Sequence, residues 1–140
     1  MQLLIGGRAQ GKIDIAKNRY PLAKVLDEKE LYHVIKIYMD KEQPESKQES
    51  GAVIWNHLHL AMKMLLENGE EPEKIWEGIS SYIDLHPDSV IVCDEIGNGI
   101  VSIEREERRW REETGRLLCK IAKRAECVER VLCGLPERIK

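Results

Sequence analysis

Short apolar runs alternate along this chain with longer stretches that are apolar on one side only. Ser89–Cys93 is a continuous apolar run, typical of a parallel strand that helices cover on both faces. Elsewhere, apolar residues recur at helical spacing, as at Leu31, Val34, Ile35 and Tyr38. The pattern predicts strands over 3–5, 22–25, 51–55, 89–93 and 128–133, and helices that begin at residues 13, 27, 58, 72 and 104. This alternation predicts a three-layer α/β fold with a mainly parallel sheet.

Prolines, glycines and polar runs mark where these elements end. Pro21 and Pro87 stop the first and fourth helices, and the Asn68-Gly69 pair closes the third. The run from Lys41 to Ser50 has no apolar residue, so residues 41–51 are predicted to form a mobile surface loop. The chain is long enough for one sizeable core, and we expect residues 1–140 to form a single domain.

Composition and charge exclude several classes of function. The 140 residues include 22 Lys+Arg and 25 Asp+Glu, a net charge of −3 that offers no basic surface for nucleic acid. No apolar run has the length of a membrane span, and the first residues do not resemble a secretory signal, so we expect a cytoplasmic protein. No cysteine pair has the spacing of a zinc site, which indicates reduced core thiols at Cys93, Cys119, Cys127 and Cys133.

The histidines and tryptophans form no recognisable site by spacing alone. His57 and His59 lie two residues apart at a strand-to-helix junction. Two histidines are too few ligands for a metal centre. Packing or surface roles are therefore expected for all the histidines, the other two being His33 and His86. The tryptophans lie on apolar faces and are expected in the core: Trp55, Trp76 and Trp110.

The strongest local motif is a glycine loop between the first strand and the first helix. It reads Gly6-Gly7-Arg8-Ala9-Gln10-Gly11-Lys12 and has the spacing and context of a phosphate-binding P-loop. Backbone amides and a helix N-terminus attract phosphate there, and Lys12 would reach the outer phosphates. Ile13 replaces the Ser or Thr that usually contributes a magnesium ligand. The alternative is a glycine turn that binds nothing.

A second motif ends the apolar strand over 89–93. Asp94 and Glu95 follow it directly, at the edge of a parallel sheet where ligands collect, and this resembles a Walker B segment. If this strand neighbours the first, Asp94 and Glu95 are placed to hold Mg²⁺, and Glu95 is placed to orient a nucleophile. The alternative is an ordinary acidic turn after a strand.

The sequence that follows Asp94 resembles one known family. It reads Glu95-Ile96-Gly97-Asn98-Gly99-Ile100-Val101, similar to that family's E-V-G-x-G-I-V, and the order continues in register to Lys140, including Trp110-Arg111-Glu112 for F-R-D. The glycine loop is similar to the family's G-G-A-R-S-G-K. The family is the bifunctional adenosylcobinamide kinase / adenosylcobinamide-phosphate guanylyltransferase of cobalamin biosynthesis. The likeness is good in the last third, fair in the first dozen residues and weak in the middle.

This resemblance implies a P-loop protein that binds ATP or GTP with Mg²⁺ and transfers a phosphoryl group to cobinamide, with Lys12 and Glu95 in catalysis. It also implies a homo-oligomer. The chain departs from the family at Ile13, and at Asn56, where the family has an acid. It also has no match to the segment carrying the guanylylated histidine. Two alternatives follow: a catalytically silent relative that binds a nucleotide or corrinoid as a partner protein, or a fold that acts through an oligomer interface.

Overall fold

One six-stranded sheet organises the protein. The computed structural model describes residues 1–41, 51–97, 99 and 102–140. Within them the strands are β1 (Gln2–Gly6), β2 (Lys24–Leu26), β3 (Val53–Trp55), β4 (Val90–Asp94), β5 (Cys127–Leu132) and β6 (Leu135–Arg138). The helices are α1 (Lys12–Arg19), α2 (Glu28–Met39), α3 (Leu58–Glu67), α4 (Pro72–Leu85) and α5 (Arg105–Arg124).

The strand order places β1 in the interior of the sheet. The order is β2-β3-β4-β1-β5-β6, and every pair is parallel except β5 with β6. The carboxyl ends of β1, β3, β4 and β5 therefore meet at one edge, where open α/β sheets bind ligands. The predicted mixed α/β fold with a mainly parallel sheet is confirmed.

Helices cover both faces of this sheet. Alternate residues of each strand point to opposite faces, so Leu3 and Ile91 join a large core with α2, α3, α4 and α5. Leu4 and Val92 point the other way, into a smaller core with α1. Because helices cover both faces of the sheet, the residues that point to either face are apolar. This explains the continuous apolar run of β4. Within the described residues, no helix combines the length and the apolar character needed to cross a bilayer.

Two strands differ from the sequence prediction. The strand expected over 22–25 is displaced to β2, because Pro21 and Leu22 lie in a turn closed by a hydrogen bond from the Ala23 amide to the Tyr20 carbonyl. The short polar strand β6 was not predicted. Cys133 and Gly134 have φ of 50° and 77°, and two positive φ values make the tight two-residue turn that folds β6 back on β5. The loop predicted over 41–51 lies almost wholly outside the described residues.

The cysteines are free thiols in unequal environments. Cys93 is buried on β4, and burial raises the pKa of its thiol to about 12. Cys127 is half-buried, and Cys119 and Cys133 are exposed. The expectation that all four lie in the core is therefore wrong for the exposed pair, because Cys119 lies on the solvent side of α5 and Cys133 in the β5–β6 turn.

This difference in exposure predicts selective chemistry. An aromatic disulfide reagent is expected to label Cys119 and Cys133 in the folded protein at neutral pH and to leave Cys93 unmodified, since the thiolate is the reactive form. In denaturant, all four cysteines are expected to react. Peptide mass mapping before and after unfolding checks both results, and fast labelling of Cys93 in the native protein would contradict the burial described above.

Candidate functional site

The glycine loop joins β1 to α1 and leaves the start of that helix open. Gly6 ends β1 with a φ of 152°, and Gly11 precedes α1 with a φ of 83°, so both occupy backbone regions that favour glycine. Among the described residues, no side chain caps the N-terminus of α1. Its first amides and its dipole are therefore available to an anion.

The β5–β6 turn supports this loop from one side. The Cys133 amide donates to Gln10 Oε1 at 2.6 Å, and the Gly134 amide donates to the Gln10 carbonyl at 3.1 Å. A Cβ on Gly11 would lie 3.5 Å from the Cα of Gly134, which shows how closely the two turns approach. The conformation of the glycine loop thus depends on a segment more than a hundred residues away in sequence.

Lys12 and Asp94 meet beneath the loop. Lys12 is only 5% exposed, and its Nζ lies 2.8 Å from Asp94 Oδ1 and donates to the Gly7 carbonyl at 2.6 Å. Gly6 and Asp94 are partners in the β1–β4 register. The strand that carries Asp94 therefore neighbours the strand of the glycine loop, the arrangement that the Walker B interpretation requires.

Glu95 lies beside Asp94 and has its own cationic partner. Its Oε2 accepts a hydrogen bond from Arg130 Nε on β5 at 2.9 Å, and its amide donates to the Gly6 carbonyl. Each of the two predicted carboxylates therefore pairs with a cation at the carboxyl edge of the sheet. The same cations are the groups that a phosphate chain would attract.

His59 lies on the opposite side of Asp94. Its side chain is 7% exposed, its Nδ1 accepts a hydrogen bond from the Asp94 amide at 3.3 Å, and its Nε2 lies 3.7 Å from Asp94 Oδ2. Burial lowers the pKa of His59 more than the nearby Asp94 carboxylate raises it, so the neutral imidazole is favoured. The neighbouring His57 is half-exposed, with its Nδ1 3.5 Å from Glu28 Oε2.

The other two histidines behave as predicted. His33 is exposed on α2, and His86 packs on the Tyr82 ring, with its Nε2 3.0 Å from the Tyr38 hydroxyl.

The glycine loop, Lys12, His59, Asp94 and Glu95 line one open cleft of about 1110 Å³. One wall is the glycine loop, and the facing wall is built from α3 and α5, including Trp110 and Arg111. Trp55 is fully buried as predicted, but Trp76 and Trp110 are only half-buried. Both pack against the large core without lying fully inside it, so the predicted core position holds fully only for Trp55. Trp110 also lines the cleft, and its Nε1 donates to the His59 carbonyl at 2.6 Å.

The oxygen donors in this cleft fit magnesium, although the set is small. No group of three or more histidine, cysteine or acidic side chains that could hold a metal exists among the described residues. Magnesium keeps several waters and binds one or two carboxylates together with substrate phosphates. Asp94 and Glu95 can provide these carboxylates. Ile13 and Asn56 also line the cleft, and neither brings a hydroxyl or a carboxylate.

Comparison with known families decides the relationship. The sequence pattern of the cobinamide kinase / cobinamide phosphate guanyltransferase family matches residues 30–139. The chain belongs to this family. The match includes the middle of the chain, where the sequence likeness was weak, and it begins after the glycine loop, whose assignment rests on its own geometry. No curated protein matches the chain.

This family membership bears out the expected P-loop α/β fold and the link to cobalamin biosynthesis. Sequence analysis missed three features of the site: His57, His59 and Arg130. The histidines follow β3 directly, so applying the carboxyl-edge rule to that strand as well as to β4 would have indicated them. Arg130 lies inside β5, and the sequence gives no sign that its side chain reaches Glu95.

Proposed function

We propose that the cleft binds the triphosphate of a purine nucleotide, ATP or GTP, through residues 6–12. The buried Lys12 ammonium at the start of α1 is the observation that carries this proposal. It lies where a glycine loop, a helix N-terminus and a lysine together attract phosphate. Arg8 and Arg130 also line the cleft and add positive charge at its edge. A phosphate chain would compete with Asp94 for Lys12 and with Glu95 for Arg130.

We further propose that the bound nucleotide donates a phosphoryl group to a hydroxyl of cobinamide. Lys12 stabilises charge on the transferring group, and Glu95 serves as the proton acceptor once Arg130 turns to phosphate. Asp94 and Glu95 would hold Mg²⁺, which supplies charge neutralisation when bound. The family description supports this substrate.

The size of the cleft supports two ligands in one domain. About 1110 Å³ lies near the upper end of the roughly 300–1,000 Å³ of ordinary small-molecule pockets, and the cleft is open to solvent on one side, where part of a second substrate could approach the nucleotide. The lining residues come from both the first and the last parts of the chain. We therefore propose that residues 1–140 act as one functional domain.

One observation favours a second candidate function, a catalytically silent relative that binds a nucleotide or a corrinoid as a partner protein. Ile13 and Asn56 occupy cleft positions where the family resemblance places a hydroxyl and an acid. Phosphoryl transfer depends mainly on positioning and on charge neutralisation, and loss of such contacts slows it strongly. Binding depends less on them, because the glycine loop and Lys12 are present.

Two measurements test these proposals. Thermal unfolding with ATP or GTP, with and without Mg²⁺, is expected to show a stabilisation of several degrees, since a ligand at about 100 times its Kd adds roughly 2.7 kcal/mol. Incubation of cobinamide with γ-labelled nucleotide then separates the two functions. Labelled cobinamide supports the kinase, and a thermal shift without labelled product supports the silent relative. No shift with either nucleotide would overturn the nucleotide site.

Restoring the missing hydroxyl is expected to strengthen magnesium-dependent binding. Ile13→Thr places a hydroxyl beside Lys12, and we expect the Kd measured with Mg²⁺ to fall about tenfold, the effect of about 1.4 kcal/mol from one additional ligand contact. Ile13→Val is the matched control, because valine has nearly the shape of threonine without the hydroxyl. Titration calorimetry measures both variants, and equal affinities would show that this position does not reach the metal.

A further inference from the structure

We propose that the base of the bound nucleotide packs on two exposed leucines of the β5–β6 hairpin, Leu132 and Leu135, here called the hairpin patch. The inference rests on the proposed nucleotide site and adds to it the part that receives the nucleoside. Leu132 is 67% exposed and Leu135 is 73% exposed, although both lie in strands. Leu132 also lines the cleft. Apolar side chains beside a few placed polar groups are typical of small-molecule sites.

The two leucines form one continuous apolar surface. Leu132 and Leu135 are direct partners in the antiparallel β5–β6 register, so their side chains lie side by side on the same face of the hairpin. The neighbouring Val131 points to the other face and is buried. The turn at Cys133 and Gly134 therefore creates the patch, because it brings together two side chains that are both open to solvent.

The hairpin patch has a fixed place beside the glycine loop. The two turn amides between the leucines, those of Cys133 and Gly134, donate to Gln10 Oε1 at 2.6 Å and to the Gln10 carbonyl at 3.1 Å. Gln10 belongs to the glycine loop, so hydrogen bonds set the distance between the loop amides and the patch. A ligand that binds both surfaces meets them in a fixed arrangement, which lowers the cost of ordering them.

Positive charge and apolar surface follow each other along β5 in the order that a nucleotide requires. Arg130 and Leu132 are two residues apart in the strand, so their side chains point to the same face about 7 Å apart. Both residues line the cleft. A nucleotide carries its phosphates at one end and a flat base with apolar faces at the other. When the phosphates lie at Lys12 and Arg130, the base reaches the outer end of β5.

The facing wall of the cleft offers a less open surface to the base. Trp110 lies there, but it is only half-buried between protein groups that already contact its ring. The His59 ring lies nearly parallel to it, with 6.3 Å between the centroids, and Lys63 Nζ lies 4.9 Å from the ring centre. Less of the indole than of either leucine is open to a ligand. The base is therefore assigned to the hairpin patch, and the wall of α3 and α5 is left to the second substrate.

The test compares nucleotides with a phosphate chain that has no nucleoside. Calorimetry in Mg²⁺ gives the Kd of ATP, GTP and inorganic tripolyphosphate for the wild type and for the double variant Leu132→Thr/Leu135→Thr. Threonine favours a strand but removes most of the apolar surface. We expect the double variant to bind both nucleotides about tenfold more weakly, because contact with two leucines is lost, and to bind tripolyphosphate as the wild type does.

Two further variants serve as controls. Leu132→Ile/Leu135→Ile keeps the apolar surface and is expected to bind both nucleotides as the wild type does. Leu22→Thr changes a fully exposed leucine in the turn between α1 and β2, at the opposite edge of the sheet. It is expected to leave every Kd unchanged. Photolabelling with 8-azido-ATP locates the base directly, and the label is expected on the peptide that contains residues 132–135.

The possible results separate this inference from the proposed function. Unchanged nucleotide affinity in the threonine variant, or a photolabel on α3 or α5, would overturn the hairpin patch and leave the phosphate site intact. Equal losses for nucleotides and tripolyphosphate would also overturn it, because the leucines would then only support the hairpin and, through Gln10, the loop. If the wild type binds neither nucleotides nor tripolyphosphate, the proposed function itself fails, and the hairpin patch fails with it.

Discussion

Lys12→Ala is expected to weaken nucleotide binding by roughly 30-fold or more. Removal of one member of a buried charge pair costs about 2–5 kcal/mol of binding free energy, and the Lys12 ammonium is 5% exposed at the point where phosphate would bind. The measurement is the nucleotide-induced change in Tm, followed by the Kd from calorimetry. Lys17→Ala, on the exposed side of the same helix, is the matched control and is expected to bind as the wild type does.

A loss of stability accompanies this substitution and has to be separated from the loss of binding. Lys12→Ala leaves the carboxylate of Asp94 without its cation, at a cost of about 3 kcal/mol to the folded state. The double variant Lys12→Ala/Asp94→Asn removes the uncompensated charge, so we expect it to recover stability and still bind nucleotide roughly 30-fold or more weakly than the wild type does. A double variant with wild-type affinity would exclude Lys12 from phosphate binding.

Gly6→Ala is expected to destabilise the fold by about 3 kcal/mol or more. A Cβ on Gly6 would lie 2.4 Å from the carbonyl oxygen of Val131 on β5, and the φ of 152° is itself strained for alanine. The clash is not relieved by a side-chain movement, because the Val131 oxygen and the Gly6 Cα belong to the backbones of two paired strands. Urea unfolding monitored by circular dichroism gives the free energy of unfolding, and a normal midpoint would show that β1 and β5 can move apart.

Gly115→Ala is the matched control for this experiment. Gly115 is exposed within α5, and no atom lies within 4 Å of the position of its Cβ. Alanine favours the helix over glycine by about 0.5–1 kcal/mol, so this variant is expected to be more stable than the wild type. The same substitution thus has opposite signs at two positions, according to backbone conformation and space.

The sequence predicts the interior of the sheet well and its last strand poorly. β1 and β4 are continuous apolar runs because helices cover both of their faces, and such runs are visible without a structure. β6 has the sequence Leu-Pro-Glu-Arg and is exposed throughout, so no pattern of burial marks it. It forms because of the turn at Cys133 and Gly134, and turn geometry is only partly encoded by residue type.

The site divides in the same way. Lys12 and Asp94 belong to motifs of local spacing, and the topology brings them together as expected. His59 and Arg130 enter through side-chain orientation across elements, which spacing along one element does not report. The local motifs therefore predict the glycine-loop end of the cleft, whereas the other residues of the cleft are brought there by the fold.

The support of the glycine loop by the β5–β6 turn has a consequence for how this protein folds. Gln10 and Cys133 are separated by 123 residues, and β1 pairs with both β4 and β5. During synthesis, β1 can pair with β4 first, but its other edge has to wait unpaired until residues near 130 have emerged, and such non-local pairing is slow. Nascent chains arrested before β5 would expose one unpaired edge of β1 to chaperones and would lack the turn that supports the glycine loop.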